Sequence, residues 1–136
     1  MIPSSKDLET LAAFKAKGQS ALSVYLDMTT AEKRKSAYSY FETMTNQQLR
    51  EHGTNYHCRR MLQEDMDVVQ MCLSNRSTPG VGIAIFSCAS SLFWRAYSLP
   101  VAVPNRVDIG SVFDLDPLRR AMKEIERRQE LLAEAI

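Results

Sequence analysis

Apolar residues recur with a helical period in four stretches of this chain and with a period of two in four shorter ones between them. Leu8, Leu11 and Ala12, with Phe14 at their edge, mark a first helix from Ser4 or Ser5 to Lys17. Ser4 and Asp7 have capping-box spacing, and Gly18 supplies a left-handed stop. A strand follows over Gln19–Asp27, in which Leu22, Val24 and Leu26 alternate with Ser23, Tyr25 and Asp27. Thr29 or Thr30 caps a second helix that carries Tyr38, Phe41 and Leu49 on one side. Gly53–Thr54–Asn55 breaks it and turns the chain into a helical hairpin. The third helix spans Tyr56–Ser74, with Leu62, Met66, Val69 and Leu73 at helical spacing.

Past the polar stop Asn75–Pro79, two strands, Val81–Phe86 and Leu92–Tyr97, flank a turn of small residues, Ser87–Ser91. Trp94 shares a face with Leu92 and Ala96 and is expected in the sheet core. Phe93, Arg95 and Tyr97 face the other way, so Arg95 needs a partner or a route to water. A fourth strand, Arg106–Gly110, has prolines upstream and downstream of it, which points to a sheet edge. The last helix opens within Asp114–Pro117, where Asp charge and a first-turn proline both suit a helix N-terminus. Leu118, Met122, Ile125, Gln129, Leu132 and Ile136 then recur in steps of four and three. The order α-β-α-α-β-β-β-α brings strands distant in sequence together. The expected fold is α+β, a four-stranded mixed sheet flanked by helices, with an extended C-terminal helix.

The 136 residues suit a single domain, 1–136, with 115–136 as its terminal helix, either a dimer seam or a lead into a further domain. Hydrophobic residues at 45% and charged ones at 24% are those of an ordinary folded domain. The formal charge of +1 predicts no chain-wide field for nucleic acid, so such attraction must come from a local patch. No apolar run approaches the roughly 20 residues of a membrane span, and the N-terminus lacks a signal-peptide pattern. A cytoplasmic protein without a membrane partner is expected. Cys58, Cys72 and Cys88 are odd in number and widely spaced, as reduced thiols are.

Catalytic patterns are missing from this sequence. There is no Gly-x-Ser-x-Gly elbow, and both histidines, His52 and His57, fall in the helical hairpin. With Cys58 they approach a metal cluster, but a fourth ligand is not evident, so neither metal nor cofactor is expected. Gly80-x-Gly82 opens a strand instead of a helix and reads as turn geometry. The acidic run Glu64, Asp65 and Asp67 fits a solvated helix face. No enzyme is expected.

Basic residues form the coherent picture. Arg50, Arg59 and Arg60, with His57, Asn55 and Tyr56, surround the tip of the hairpin. Arginine gives forked hydrogen bonds to phosphate, and tyrosine stacks on an unpaired base. Lys33, Arg34 and Lys35 form a second basic group in the opening turn of helix 2, the end that the helix dipole disfavours for cations. Both groups are candidate RNA contacts. The alternative is a structural or regulatory homodimer that binds no nucleic acid, with Leu118, Met122, Ile125 and Leu132 as its seam.

The succession ALSVYLD, a two-helix hairpin, GVGIAIFS, a tryptophan-bearing strand and LPVAVPNRVDIGSVFDLDPL resembles a known family. It is similar to the N-terminal domain of bacterial relatives of the archaeal and eukaryotic class-1 peptide-chain release factors, over about Leu8 to Leu118. The resemblance implies a four-stranded sheet between helices and a ribosomal partner, with contacts to rRNA. In the archaeal and eukaryotic members this domain sits in the decoding site and points an Asn-Ile-Lys-Ser tetrapeptide at the stop codon. The corresponding turn here is Asn55–Tyr56–His57–Cys58, which shares only the asparagine. The family's release reaction uses a Gly-Gly-Gln loop, which these residues do not contain. The resemblance therefore implies a ribosome- or RNA-associated domain without peptide-release activity.

Overall fold

The structure, a computed structural model, describes residues 2–16, 21–51, 56–74 and 80–135, with the backbone alone for 49, 51, 56–59, 61, 62 and 90. Its elements are α1 (Ser5–Ala13), β1 (Ala21–Asp27), α2 (Ala31–Glu51), α3 (Tyr56–Ser74), β2 (Gly82–Cys88), β3 (Phe93–Leu99), β4 (Arg106–Gly110) and α4 (Asp116–Ala135). A 3-10 turn, Ala89–Ser91, joins β2 to β3. The expected α+β order is the observed one, and the strands stand side by side as β3-β2-β1-β4. β4 is an edge strand, as its flanking prolines imply.

All three pairings are antiparallel, which corrects the expected mixed sheet. The helical hairpin is the cause. α2 leaves from the Asp27 end of β1, and α3 returns the chain to that same end, where Gly82 pairs with Asp27. Two successive helices therefore reverse β2 relative to β1, whereas a single crossover helix would make them parallel.

Both faces of the sheet are covered. On one, Leu22, Val24, Leu26, Ile83, Ile85, Val107 and Ile109 pack against Ala37 and Phe41 of α2 and Met66 and Val69 of α3. On the other, Tyr25, Phe86, Tyr97 and Leu99 meet Leu11 of α1 and Leu118, Ala121 and Ile125 of α4. Ser23 and Tyr25 are consequently buried with the rest of β1. Their hydroxyls bond the loop before α4: Ser23 Oγ accepts from the Asp114 amide at 2.9 Å, and Tyr25 donates to the Asp114 carbonyl at 2.5 Å.

Capping decides the start of α1, where Ser4 and Asp7 close the expected reciprocal box. The helix stops at Ala13, short of the expected Lys17. Phe14 turns to extended backbone and places its ring 4.7 Å from both Phe93 and Phe113, and the Ala16 amide donates to the Ser111 carbonyl. Aromatic packing of this kind outweighs one further turn of exposed helix. Gly18, the expected stop, lies outside the described residues. Trp94 and Ala96 pack on the α2–α3 face and Phe93 and Tyr97 on the other, as alternation requires. Leu92 departs from that pattern, since it is 95% exposed. Arg95 reaches solvent, its guanidinium 4.8 Å from the Phe93 ring centroid.

Gly80 and Gly82 are more than turn formers. The segment between β3 and β4 crosses from one sheet edge to the other and passes over the start of β2. A Cβ on Gly82 would lie 2.6 Å from the Val101 carbonyl oxygen and 3.1 Å from a Val103 methyl. Backbone cannot yield cheaply at that distance, so Gly82→Ala should cost about 2–3 kcal/mol. Urea unfolding measures this; an unchanged midpoint would show that the crossing does not press on β2.

Candidate functional site

The two basic groups are far apart. Lys33 and Arg50 lie near opposite ends of α2, about 25 Å along its axis. Each group therefore has its own surroundings.

At the Asp27 end, the cations that oppose the helix dipole have local partners. Lys33 Nζ lies 2.8 Å from Asp27 Oδ2, and Arg34 donates to the Met28 carbonyl at 3.0 Å. Asp27 also accepts from the amide and hydroxyl of Thr29, and the Thr30 hydroxyl accepts from the Lys33 amide. The Lys33 bond foremost, with those from Thr29, holds the Asp27 carboxyl below its ordinary pKa. Lys33 and Arg34 thus fasten the β1–α2 junction, while Lys35 is exposed.

At the other end, α3 overhangs the sheet. Asp65 sits beside Ser87, near the last residue of β2, so the nine residues of α3 before it extend about 13 Å past the strands. Gln48 secures α2 at the same level. Its side-chain amide donates to the Val107 carbonyl and accepts from the Ile109 amide, pairing with the outer edge of β4 as another strand would. Arg60 is exposed on this overhang of α3, and Arg50 is exposed near the end of α2, level with the end of β4. Tyr56, His57 and Arg59 are placed in the first turn of α3 by their backbone alone. Asn55 and His52 lie outside the described residues. Among the described residues no cluster of His, Cys, Asp or Glu could hold a metal ion. No described helix is long and apolar enough to cross a membrane.

The seam expected on α4 belongs largely to the protein's own core. Leu118 and Ile125 are buried against the sheet, and Met122 is half-buried beside them. Leu132 is 67% exposed, and its neighbour Leu131 is also on the surface. Leu118 and Ile125 thus serve the core, because the amphipathic stripe of a docked helix and a coiled-coil seam share one spacing. A groove of about 620 Å³ runs between residues 2–8 and α4, with Ile2, Leu8 and Met122 in its walls.

A polar site that the sequence reading missed lies at the base of the overhang. Asp65, assigned above to a solvated helix face, is only 2% exposed. Ser87 Oγ donates to its Oδ1. Its Oδ2 is buried without a hydrogen bond of ordinary geometry, though the Ala89 amide lies close enough to favour the charged form. Burial dominates and raises the carboxyl pKa from 3.8 to about 6, with the Ser87 bond opposing the rise. The helical period held a signal for this. Asp65 stands three residues after Leu62 and four before Val69, on the edge of the apolar stripe.

The folded protein holds the Asp65 proton up to about pH 6 and the unfolded chain only to about 3.8, so stability falls as pH rises between these values. The full cost, up to about 3 kcal/mol, is present above the folded pKa. Asp65→Asn should thus raise stability at pH 7.5 and lose most of that advantage at pH 4. Urea midpoints at the two pH values check this; a less stable variant at both would mean that the ionised carboxylate is needed.

No family model matches this sequence, and no curated protein does. Solved structures do match. A structure described as an archaeal protein superposes with a TM-score of 0.65 at 13% identity, over 85% of this chain and 34% of that one. The archaeal translation termination factor aRF1 superposes with a TM-score of 0.54 at 20% identity, over 82% of this chain and 32% of its own. The chain spans about a third of each of these structures, and what it shares with them is the fold alone, in the case of aRF1 that of part of a translation termination factor.

Proposed function

We propose that this protein is a non-catalytic domain of release-factor type that associates with the ribosome through RNA, and that the α2–α3 hairpin is the element it presents. The overhang carries this reading: α3 extends past the sheet with Arg60 exposed on it and Arg50 exposed at the adjoining end of α2, and such a projection can enter a groove that the broad body of the domain cannot. The likeness in fold to a translation termination factor supports the choice of partner. Arg59, Asn55, Tyr56 and His57 belong to the same tip by sequence. With a net charge of only +1, attraction to phosphate must be local, and arginines at a projecting end meet that requirement. These residues contain no Gly-Gly-Gln loop, so peptidyl-tRNA hydrolysis is not part of the proposal.

A second reading, a homodimer through α4, is favoured by the exposed Leu131 and Leu132. It needs a dimer at about 100 μM that Leu132→Asp dissociates. A monomeric wild type in sedimentation equilibrium would end it.

Co-sedimentation with ribosomes over a salt series tests the first reading. Affinity should fall steeply with salt, and Arg59→Ala with Arg60→Ala should reduce the log–log slope by about 1.5. Lys33→Ala should leave the slope unchanged, since Lys33 is paired with Asp27 at the far end of α2. Absence of co-sedimentation at low salt would refute the proposal.

A further inference from the structure

The buried carboxyl of Asp65 has no part in the contacts assigned to the hairpin tip. Asp65 forms part of the wall of a cleft of about 290 Å³ between α3 and the β2–β3 turn, together with Glu64, Val68, Ser87, Leu92 and Trp94. That volume is at the bottom of the range for small-molecule pockets and suits a single side chain. One carboxylate oxygen is held by Ser87, and the other is buried without a hydrogen bond of ordinary geometry, although the Ala89 amide lies near the carboxyl. Such an atom is costly unless something donates to it.

The surroundings define the donor. Every ionisable side chain in the cleft wall is acidic: Glu64 lies beside Asp65 on α3, while the β2, turn and β3 residues that face it are uncharged. Asp67 adds a further exposed carboxylate on the same helix. This acidic wall repels phosphate, so the cleft does not suit nucleic acid. The rest of the rim is apolar. Leu92 is 95% exposed, at a left-handed φ of 53° that glycine would adopt more cheaply. Val68 and Met71 add exposed apolar surface on α3, and the half-buried Trp94 also lines the cleft. A planar, weakly hydrated cation can donate to a carboxylate and stack on an indole, and guanidinium does both better than ammonium.

We infer that this cleft binds an arginine side chain flanked by apolar residues on a protein partner. The guanidinium donates to Asp65, and the flanking residues cover Leu92 and Val68. The surface is distinct from the cationic tip of the hairpin and opposite to it in charge, so one domain can hold RNA and protein at once.

The chain has one tryptophan, so the Trp94 indole N–H is an unambiguous NMR reporter. The probes are acetyl-Leu-Arg-Leu-amide and acetyl-Leu-Gln-Leu-amide. The arginine peptide should shift the Trp94 and Leu92 signals saturably below about 10 mM, and the glutamine peptide should bind at least about tenfold more weakly. Asp65→Asn should abolish the preference. Leu92→Gly, which relieves the left-handed corner, should weaken both peptides without unfolding the protein. Arginine binding should strengthen several-fold from pH 5 to pH 7 as Asp65 ionises. Equal response to the two peptides, no saturation, or an unchanged preference in Asp65→Asn would overturn the inference. So would displacement of the same signals by oligouridylate in place of the peptide.

Discussion

Burial of β1 on both faces is the constraint on which the rest of the architecture depends. From Ala21 to Leu26 no side chain of this strand reaches water. An antiparallel sheet can leave one face solvated, but this one cannot, because Tyr25 and Leu22 point to opposite sides and each is fully buried. Two helical layers are therefore obligatory. The chain supplies one as a hairpin inserted between β1 and β2, and the other from its two end helices. The polar groups of β1 are satisfied only because the loop before α4 returns to them, with Ser23 and Tyr25 both bonded to Asp114. That loop is further held by the Arg106–Asp114 ion pair at 2.7 Å. Arg106 is half exposed, so the pair orders the loop more than it stabilises the fold.

The same constraint explains where charge can sit. Lys33 and Arg34 look misplaced at a helix N-terminus when only the dipole is considered. Asp27 and the Met28 carbonyl offset that, so the cluster is a junction before it is a binding surface. Arg50 and Arg60 have no such duty among the bonds described, and they stand where α2 ends and where α3 has already left the sheet. Distance from the core, more than the number of cations, separates the two groups as candidates for phosphate.

How much of this was legible in the sequence depended on whether the deciding interaction was local. The bounds of α3 and β4 agree with those read from periodicity, since glycine, asparagine and proline punctuate both. The Ser4 capping box was equally visible, because its two partners are three residues apart. The end of α1 was not, because Phe14 leaves the helix for rings at Phe93 and Phe113. The strand directions also escaped, since alternation names faces and not partners. On α4, Leu118 and Ile125 had the spacing of a dimer seam and proved to be core. Asp65 is the most instructive miss. Its spacing from Val69 sets it at the stripe's edge, but the acidic neighbours Glu64 and Asp67 mask that position, and its partner Ser87 is 22 residues away.

Asp65 and the overhang are mechanically related. The residue lies where α3 passes the last row of the sheet, the point at which a helix loses its apolar support. A buried acid there is destabilising at neutral pH, while an apolar residue in its place would extend the hydrophobic contact without that penalty. Leu92 adds a second unfavourable feature at the same level of the molecule, as an apolar side chain held in solvent on a left-handed corner. Leu92 has no part in the sheet core, and Asp65 is bonded to the sheet through Ser87. Two costs on adjoining elements, of opposite chemical character and lining one cleft, are what the inferred cationic and apolar partner would offset.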